Sequence, residues 1–93
     1  MRVDKRKRDM LTSHWVYILE DANGFLLINF TSEIDNILMK GDHVVYLRSF
    51  HSPFEALAHK HLVGDLSMRT VKAMIKREKR ETMIRLNMMM CAR

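Results

Sequence analysis

The stretch "HWVYILEDANGFLLINFTSE", residues 14–33, decides the fold of this chain. Residues 14–20 are rich in β-branched and aromatic side chains, which favour a strand. Asn23-Gly24 is the preferred pair for a tight turn with positive φ, and "FLLINF" is then the return strand. Both faces of the two strands are apolar, because alternate residues point to opposite sides. The stretch therefore predicts a β-hairpin that other elements cover on both faces.

The sequence after the hairpin predicts one further strand and three helices. A short helix follows in "TSEIDNILMKGD", where Thr31 or Ser32 serves as N-cap and Gly41 ends the helix. "HVVYLRSF" predicts a third strand. The order is strand, strand, helix, strand, helix, helix. It indicates an α/β fold, an α+β sandwich with a three-stranded, mainly antiparallel sheet flanked by helices.

The last two predicted helices have clear start signals. Ser52 is a good N-cap, Pro53 suits the first helical position, and Glu55 stands three residues after the cap, as in a capping box. Ser67 caps the next helix. Each helix carries one apolar stripe at helical spacing, the pattern of a core-facing side. The stripes are Phe54, Leu57, Ala58, His61 and Leu62 in the first helix, and Met68, Val71, Met74 and Ile75 in the second.

Composition divides the chain into three parts. Residues 1–12 form a basic arm without apolar periodicity, residues 13–78 hold the predicted domain, and residues 79–93 form a Met-rich basic tail or helix extension. A length of 93 residues suits one domain. Cys91 is the only cysteine, which excludes an internal disulfide and favours a reducing, cytoplasmic location. The sequence shows no signal peptide and no bilayer-spanning segment, so we expect no membrane partner.

Charge is distributed unevenly along the chain. Residues 1–13 hold five Lys/Arg and two Asp, residues 14–68 hold three Lys/Arg and seven Asp/Glu, and residues 69–93 hold eight Lys/Arg and two Glu. The segments thus carry +3, −4 and +6 of the total of +5. Two interpretations remain open: the basic ends are solvated faces that aid solubility, or they contact nucleic-acid phosphates. In the second, the candidate contacts are Arg69, Lys72, Lys76 and Arg77, with the arm residues Lys5–Arg8.

This order of elements, together with two sequence segments, resembles the GIY-YIG endonuclease superfamily, and its small stand-alone members most. The matching segments are "WVYILEDANGFLL" and "SPFEALAHKHLVGDLSMRTVKAMIK", and the resemblance covers roughly residues 14–77. The resemblance implies metal-dependent DNA cleavage. It also implies a site with two tyrosines on adjacent strands, an arginine on the first helix and a metal-binding glutamate on a later helix. The arginine would hold the scissile phosphate, and the metal would neutralise its developing charge.

Only part of that site carries over to this chain. The first tyrosine matches Tyr17, and the metal-binding glutamate matches Glu55. The other positions lack the required groups: the second tyrosine falls on Leu27, the glycine after it on Asn29, and the arginine on Asn36 or Ile37. We therefore expect a degenerate site in which Tyr17 and Glu55 are vestiges.

Each surviving residue also has a purely structural explanation. Tyr17 can pack its ring within an apolar strand, and Glu55 can complete the capping box of Ser52. A lone carboxylate is a poor magnesium site unless substrate phosphates add ligands, although His59, four residues after Glu55, permits a transition-metal pair. We therefore expect no cofactor. Mg²⁺ or Mn²⁺, bound at Glu55, belongs only to the alternative of a live nuclease.

The sequence thus favours a GIY-YIG-like domain that has lost catalysis and acts as a nucleic-acid-binding or protein-association module. Candidate partners are nucleic acid, bound through the basic ends, and a second copy of the chain, held by the apolar hairpin and "MIRLNMMM". The alternative is an active metal-dependent DNA endonuclease with a rearranged site. In that case residues 83–93 or a partner chain would supply the missing cation.

Overall fold

The computed structural model of the chain describes residues 14–91, with the backbone alone for residues 90 and 91. The elements are strands β1 (His14–Glu20) and β2 (Leu26–Thr31), helix α1 (Ile34–Met39), strand β3 (Val44–Phe50), and helices α2 (Pro53–Gly64), α3 (Met68–Arg77) and α4 (Lys79–Cys91). The predicted arm at 1–12 lies outside the described residues, and the division of the chain at residue 78 stays a prediction.

The sheet has the predicted architecture. Its order is β2-β1-β3, and both strand pairs are antiparallel, so the predicted fold class is confirmed. Tyr17, in the central strand, lies opposite Asn29 of β2 and Leu47 of β3. Helices cover both faces of this sheet, as the apolar hairpin requires.

The hairpin turn is built around Asp21. The Gly24 N–H donates to the Asp21 carbonyl oxygen at 3.0 Å, and the Asp21 carboxylate accepts from the N–H groups of Asn23 and Phe25 at 2.9 Å. Gly24 has a φ of 84°, in the left-handed region that glycine adopts without a steric penalty. The predicted turn chemistry therefore applies to Gly24, while Asn23 keeps a negative φ.

Two core clusters lie on opposite faces of the sheet. The α2/α3 face takes the side chains of Val16 and Ile18 from β1, and the α1/α4 face takes Tyr17. On the α2/α3 face the other buried residues are Tyr46, Ala56, Val63, Val71 and Met74. On the α1/α4 face they are Ile34, Val44 and Leu47, with Trp15, Leu19, Ile37, Leu38, Leu86 and Met89 packed against them.

Helix α2 turns a different side to the sheet from the one predicted. Phe54 is 82% exposed and Leu62 is 62% exposed, whereas Ala56 and Val63 are buried. The small Ala56 side chain lets the helix approach the sheet closely, and Lys60 lies over Phe30 with its Nζ 5.6 Å from the ring centroid. The prediction that the Phe54–Leu62 stripe faces the core is therefore wrong. A lysine stem covers sheet surface that the prediction gave to leucine and phenylalanine.

The starts of α1, α2 and α3 differ in how they are capped. Ser67 Oγ accepts from the Thr70 N–H at 3.2 Å, which confirms the predicted cap of α3. Helix α1 begins after Glu33 without a side-chain cap, so the prediction of Thr31 or Ser32 as its cap is wrong. The Thr31 hydroxyl instead accepts from the Glu33 N–H at 2.9 Å, one residue before the helix. This local bond competes with capping for the same hydroxyl.

At the start of α2, Ser52→Ala is expected to lower the free energy of unfolding by about 1 kcal/mol. Ser52 Oγ accepts from the Glu55 N–H at 3.1 Å, and the described residues show no return bond from the Ser52 N–H to the Glu55 carboxylate. Glu55→Gln keeps the backbone donor, so we expect a change within about 0.5 kcal/mol. Urea denaturation followed by circular dichroism measures both. A loss in Glu55→Gln as large as that in Ser52→Ala would contradict this description of the cap.

Helix α4 closes the free edge of β3. Thr82, only 2% exposed, presents its Oγ1 to the Leu47 N–H at 3.4 Å, and Arg85 Nη1 donates to the Leu47 carbonyl oxygen at 2.8 Å. An uncovered edge strand offers its backbone groups to other chains. The Met-rich segment therefore gives β3 backbone partners that a fourth strand would otherwise supply.

Candidate nucleic-acid interface

Tyr17 lies within the apolar cluster of the α1/α4 face. It is 5% exposed and belongs to the same cluster as Ile34 and Leu47. Burial raises the pKa of the Tyr17 hydroxyl, and the negative charge of Asp42 raises it further. The hydroxyl is therefore protonated at neutral pH, and it has no hydrogen-bond partner among residues 14–91. These surroundings suit ring packing better than proton transfer.

The positions that match the missing catalytic residues have local contacts of their own. Asn29 lies directly opposite Tyr17, and its Oδ1 accepts from the Phe30 N–H at 2.9 Å. Asn36 Nδ2 donates to Glu33 Oε2 at 2.7 Å, at the surface. The two remaining positions are apolar: Leu27, which is exposed on β2, and Ile37, which packs in the α1/α4 cluster. None of these side chains can replace a cation at a phosphate.

The sheet end near the hairpin turn is acidic. An open concavity of about 410 Å³ lies there, lined by Glu20, Asp21, Asp42 and His43 with neighbouring apolar residues. His43 Nδ1 is 3.8 Å from Glu20 Oε1. Three carboxylates around one concavity repel phosphate. This end of the molecule therefore does not suit a nucleic-acid backbone.

Glu55 and Tyr17 belong to opposite sides of the sheet. Glu55 is exposed in the first turn of α2, which packs on the α2/α3 face, whereas Tyr17 points to the α1/α4 face. His59 points inward from α2, with Nε2 hydrogen-bonded to Tyr46, so it does not form a metal pair with Glu55. Within residues 14–91, no three His, Cys, Asp or Glu side chains are grouped to hold a metal ion. Glu55 alone does not fit a divalent-metal site.

The four predicted phosphate contacts lie on α3. Arg69, Lys72 and Lys76 are exposed and share one side of the helix, since they are spaced three and four residues apart. The buried Val71 occupies the other side, together with Met74. Arg77 lies beyond this row and is 3.9 Å from Glu78, which partly offsets its charge. Three of the four predicted cations thus form one row.

A second concavity lies at the elbow between α3 and α4, and we call it the basic groove. Its volume is about 410 Å³, and it is lined by Lys76, Arg77, Lys79, Arg80, Met83, Ile84 and Asn87. Arg80, Met83, Ile84 and Asn87 share one side of α4, because their spacing is that of a helical stripe. The groove joins the row of cations on α3 at Lys76.

Sequence reasoning identified two of the four cations that line the basic groove. It named Lys76 and Arg77 but left out Lys79 and Arg80, because residues 79–93 were expected to be a tail or an extension of the preceding helix. The spacing of residues 80, 83, 84 and 87 was the available signal for a second helix with its own exposed side. The bend at Glu78, where φ is −100° and ψ is 12°, has no comparable sequence marker.

A polar cluster that sequence reasoning missed links β3 to α2. The Tyr46 hydroxyl lies 2.9 Å from His59 Nε2, and the Phe50 ring centroid is 5.0 Å from that of His59. Burial lowers the pKa of His59, the positive charge of Arg48 lowers it further, and Glu78 opposes both. Burial raises the pKa of Tyr46. A protonated tyrosine thus shares a hydrogen bond with a neutral histidine.

The lowered pKa of His59 leads us to expect a loss of folding stability in mild acid. A folded-state pKa below the ordinary value of about 6.5 means that the unfolded chain binds the proton more tightly. The contribution of neutral His59 is therefore complete above that value and is lost as the pH falls through the folded-state pKa.

We expect the free energy of unfolding of the wild type to fall between about pH 7 and pH 5 more steeply than that of His59→Gln, which keeps a hydrogen-bonding group for Tyr46 but does not titrate. Chemical denaturation at several pH values measures this difference. His61→Gln, an exposed change on the same helix, is the control. Parallel pH profiles for wild type and His59→Gln would contradict the prediction.

The fold has a solved counterpart. The structure of the UPF0213 protein of Bacillus halodurans, determined by NMR in solution, matches this chain with a TM-score of 0.58 and 23% sequence identity. The match covers 72% of this chain and 86% of that chain. This likeness supports the fold, a three-stranded antiparallel sheet flanked by helices. No protein-family model matches the sequence, and no curated protein does.

None of the helices between residues 14 and 91 combines the length and the apolar character that a membrane crossing requires.

Proposed function

We propose that this protein is a nucleic-acid-binding module on a GIY-YIG-like fold. The observation that carries the proposal is the continuity of its cationic surface, which runs from Arg69 along α3 into the basic groove. Residues 68–91 hold seven Lys/Arg and two Glu. Arg85 donates to the Leu47 carbonyl oxygen, which leaves six cations toward solvent. Such a surface matches the phosphates of a nucleic-acid backbone.

The polarity of the molecule supports the same proposal. Acidic side chains surround the concavity at the hairpin end, while the cations collect around the elbow of α3 and α4. A general solubilising charge would not need this separation. A polyanion approaching the molecule would be repelled by the acidic concavity and attracted by the cations around the elbow, which orients it on the basic groove.

Loss of the ancestral cleavage chemistry is part of this proposal. Tyr17 is buried in an apolar cluster near Asp42, and Leu27 stands where the resemblance places the second tyrosine. Glu55 lies on a helix that covers the other sheet face. These placements favour binding without cleavage. We also keep the cytoplasm as the proposed location, because Cys91 is the only cysteine in the sequence.

Fluorescence anisotropy with labelled DNA and RNA at a series of salt concentrations tests the binding function. We expect binding at low ionic strength, with the logarithm of the affinity falling linearly with the logarithm of the salt concentration. Absence of binding to both polymers at low ionic strength would refute the proposal.

Incubation of plasmid and branched DNA with Mg²⁺ or Mn²⁺ tests the alternative of an active endonuclease. We expect no cleavage that depends on Glu55. Cleavage by the wild type that is lost in Glu55→Gln would support the alternative of an active endonuclease. Cleavage that survives this change would come from another site or from a contaminant.

Self-association is a second candidate function, favoured by the exposed side of α2. Phe54 and Leu62 project into solvent there, and large exposed apolar patches are typical of protein interfaces. Sedimentation analysis over a range of concentrations tests this. A dimer that Phe54→Ser converts to a monomer supports it, and a strictly monomeric wild type at high concentration refutes it.

A further inference from the structure

We infer that the basic groove holds a single strand, with bases against its apolar side chains, in preference to a duplex. This inference rests on the proposed nucleic-acid-binding function and specifies the ligand class of the same site. It follows from the mixed chemistry of the groove, which is lined by four cations, two apolar side chains and one amide.

The apolar part of the groove is a contact surface that phosphates cannot use. Met83 is 52% exposed and Ile84 is 48% exposed, and both line the groove beside Lys79 and Arg80. A surface that serves the phosphate backbone alone needs only cations and hydrogen-bond donors. Apolar side chains beside the cations match a ligand that carries an apolar face next to its charge.

A single strand has this combination, and a duplex does not. The bases of a duplex are stacked on one another, so its outer surface offers phosphates and sugars. A single strand exposes base faces, which can pack on protein side chains while neighbouring phosphates meet cations. Asn87 adds an amide that can donate to and accept from a base edge. The charge of the groove selects the polyanion, and its apolar side chains select the unstacked strand.

The position of the groove agrees with this ligand. It is an open concavity of about 410 Å³ at the elbow of two helices, and the row of Arg69, Lys72 and Lys76 leads into it along α3. A flexible strand can follow a bend between two helices. A duplex is stiff over this distance and would contact the elbow only at its edges.

The test compares a fluorescein-labelled single-stranded oligonucleotide with a duplex that carries the same number of phosphates, at one low salt concentration. We expect tighter binding of the single strand. The double variant Met83→Gln/Ile84→Thr changes exposed residues and leaves every cation in place. It should weaken single-strand binding roughly three- to ten-fold, with an unchanged salt slope and unchanged duplex binding.

The possible outcomes separate this inference from the proposed function. Equal or tighter binding of the duplex, or equal weakening of both ligands by the double variant, overturns the single-strand inference and leaves the nucleic-acid proposal intact. Absence of binding to either ligand overturns both. Binding to vesicles of phosphatidylglycerol and phosphatidylcholine that exceeds binding to the oligonucleotide also overturns the single-strand inference. A change of oligomeric mass in the double variant overturns it as well, since the groove would then hold a second copy of the chain.

Discussion

Replacing Lys76, Lys79 and Arg80 together by alanine is expected to weaken nucleic-acid binding roughly 10- to 100-fold at low salt. All three line the basic groove and are exposed, so their removal takes away phosphate contacts without disturbing the core. Each lost contact to a single strand lowers the salt slope by about 0.7, so the triple variant should lose about two in slope. Anisotropy titrations at several salt concentrations measure the affinity and the slope together.

A matched single change separates a local contact from a general effect of charge. Lys40→Ala removes one exposed lysine that follows α1, on the opposite sheet face from α3. We expect it to change the affinity less than about two-fold, whereas Lys76→Ala should lower both the affinity and the salt slope. Equal effects of the two variants would contradict a site at the groove. They would instead support the interpretation that the basic residues only aid solubility.

The hairpin could be predicted from sequence because its determinants are local. Strand-forming residues, a turn glycine at Gly24 and alternating apolar side chains all lie within residues 14–33, and each agrees with the others. The order of the first six elements followed for the same reason, whereas α4 was not predicted as a separate helix. Both faces of the hairpin are apolar, which correctly implied a layer of helices on each side.

The orientation of α2 could not be predicted because it depends on tertiary contacts. The periodicity of Phe54 and Leu62 indicated a core-facing side, yet the sheet receives Ala56, His59 and the stem of Lys60. A hydrogen bond from Tyr46 to His59 and the cover of Phe30 by Lys60 depend on residues far apart in sequence. Periodicity counts apolar side chains and takes no account of such partners.

The candidate site was predictable in its residue types but not in its extent. A run of cations on α3 is visible in the sequence, and so is the absence of the second tyrosine at Leu27. The elbow that brings Lys79 and Arg80 beside Lys76 depends on how α4 docks on β3. That docking combines two contacts to the backbone of Leu47 with the packing of Leu86 and Met89 in the α1/α4 cluster, which no local pattern reveals.

The double variant Thr82→Val/Arg85→Met is expected to lower the free energy of unfolding by about 2–4 kcal/mol. Thr82→Val keeps the side-chain volume but removes the acceptor for the Leu47 N–H, and Arg85→Met removes the donor to the Leu47 carbonyl oxygen. Burial of an unpaired backbone group costs about 1–3 kcal/mol. The two losses of stability should not add fully, since both side chains bond to backbone groups of Leu47. Urea denaturation measures the loss.

Weakening these contacts also uncovers the edge of β3, so we expect the variant to associate at concentrations where the wild type does not. Arg80→Met is the matched control, because it makes the same chemical change on the same helix, at an exposed position in the groove. Arg80→Met should weaken nucleic-acid binding and leave the free energy of unfolding within about 0.5 kcal/mol of the wild type. Arg85→Met should lower the free energy of unfolding and leave nucleic-acid binding unchanged. If Arg85→Met weakened binding at unchanged stability, Arg85 would be a phosphate contact and not the residue that fastens α4 to the sheet. If Arg80→Met changes only binding and Arg85→Met changes only stability, the inward side of α4 serves the fold and its outward side serves the ligand.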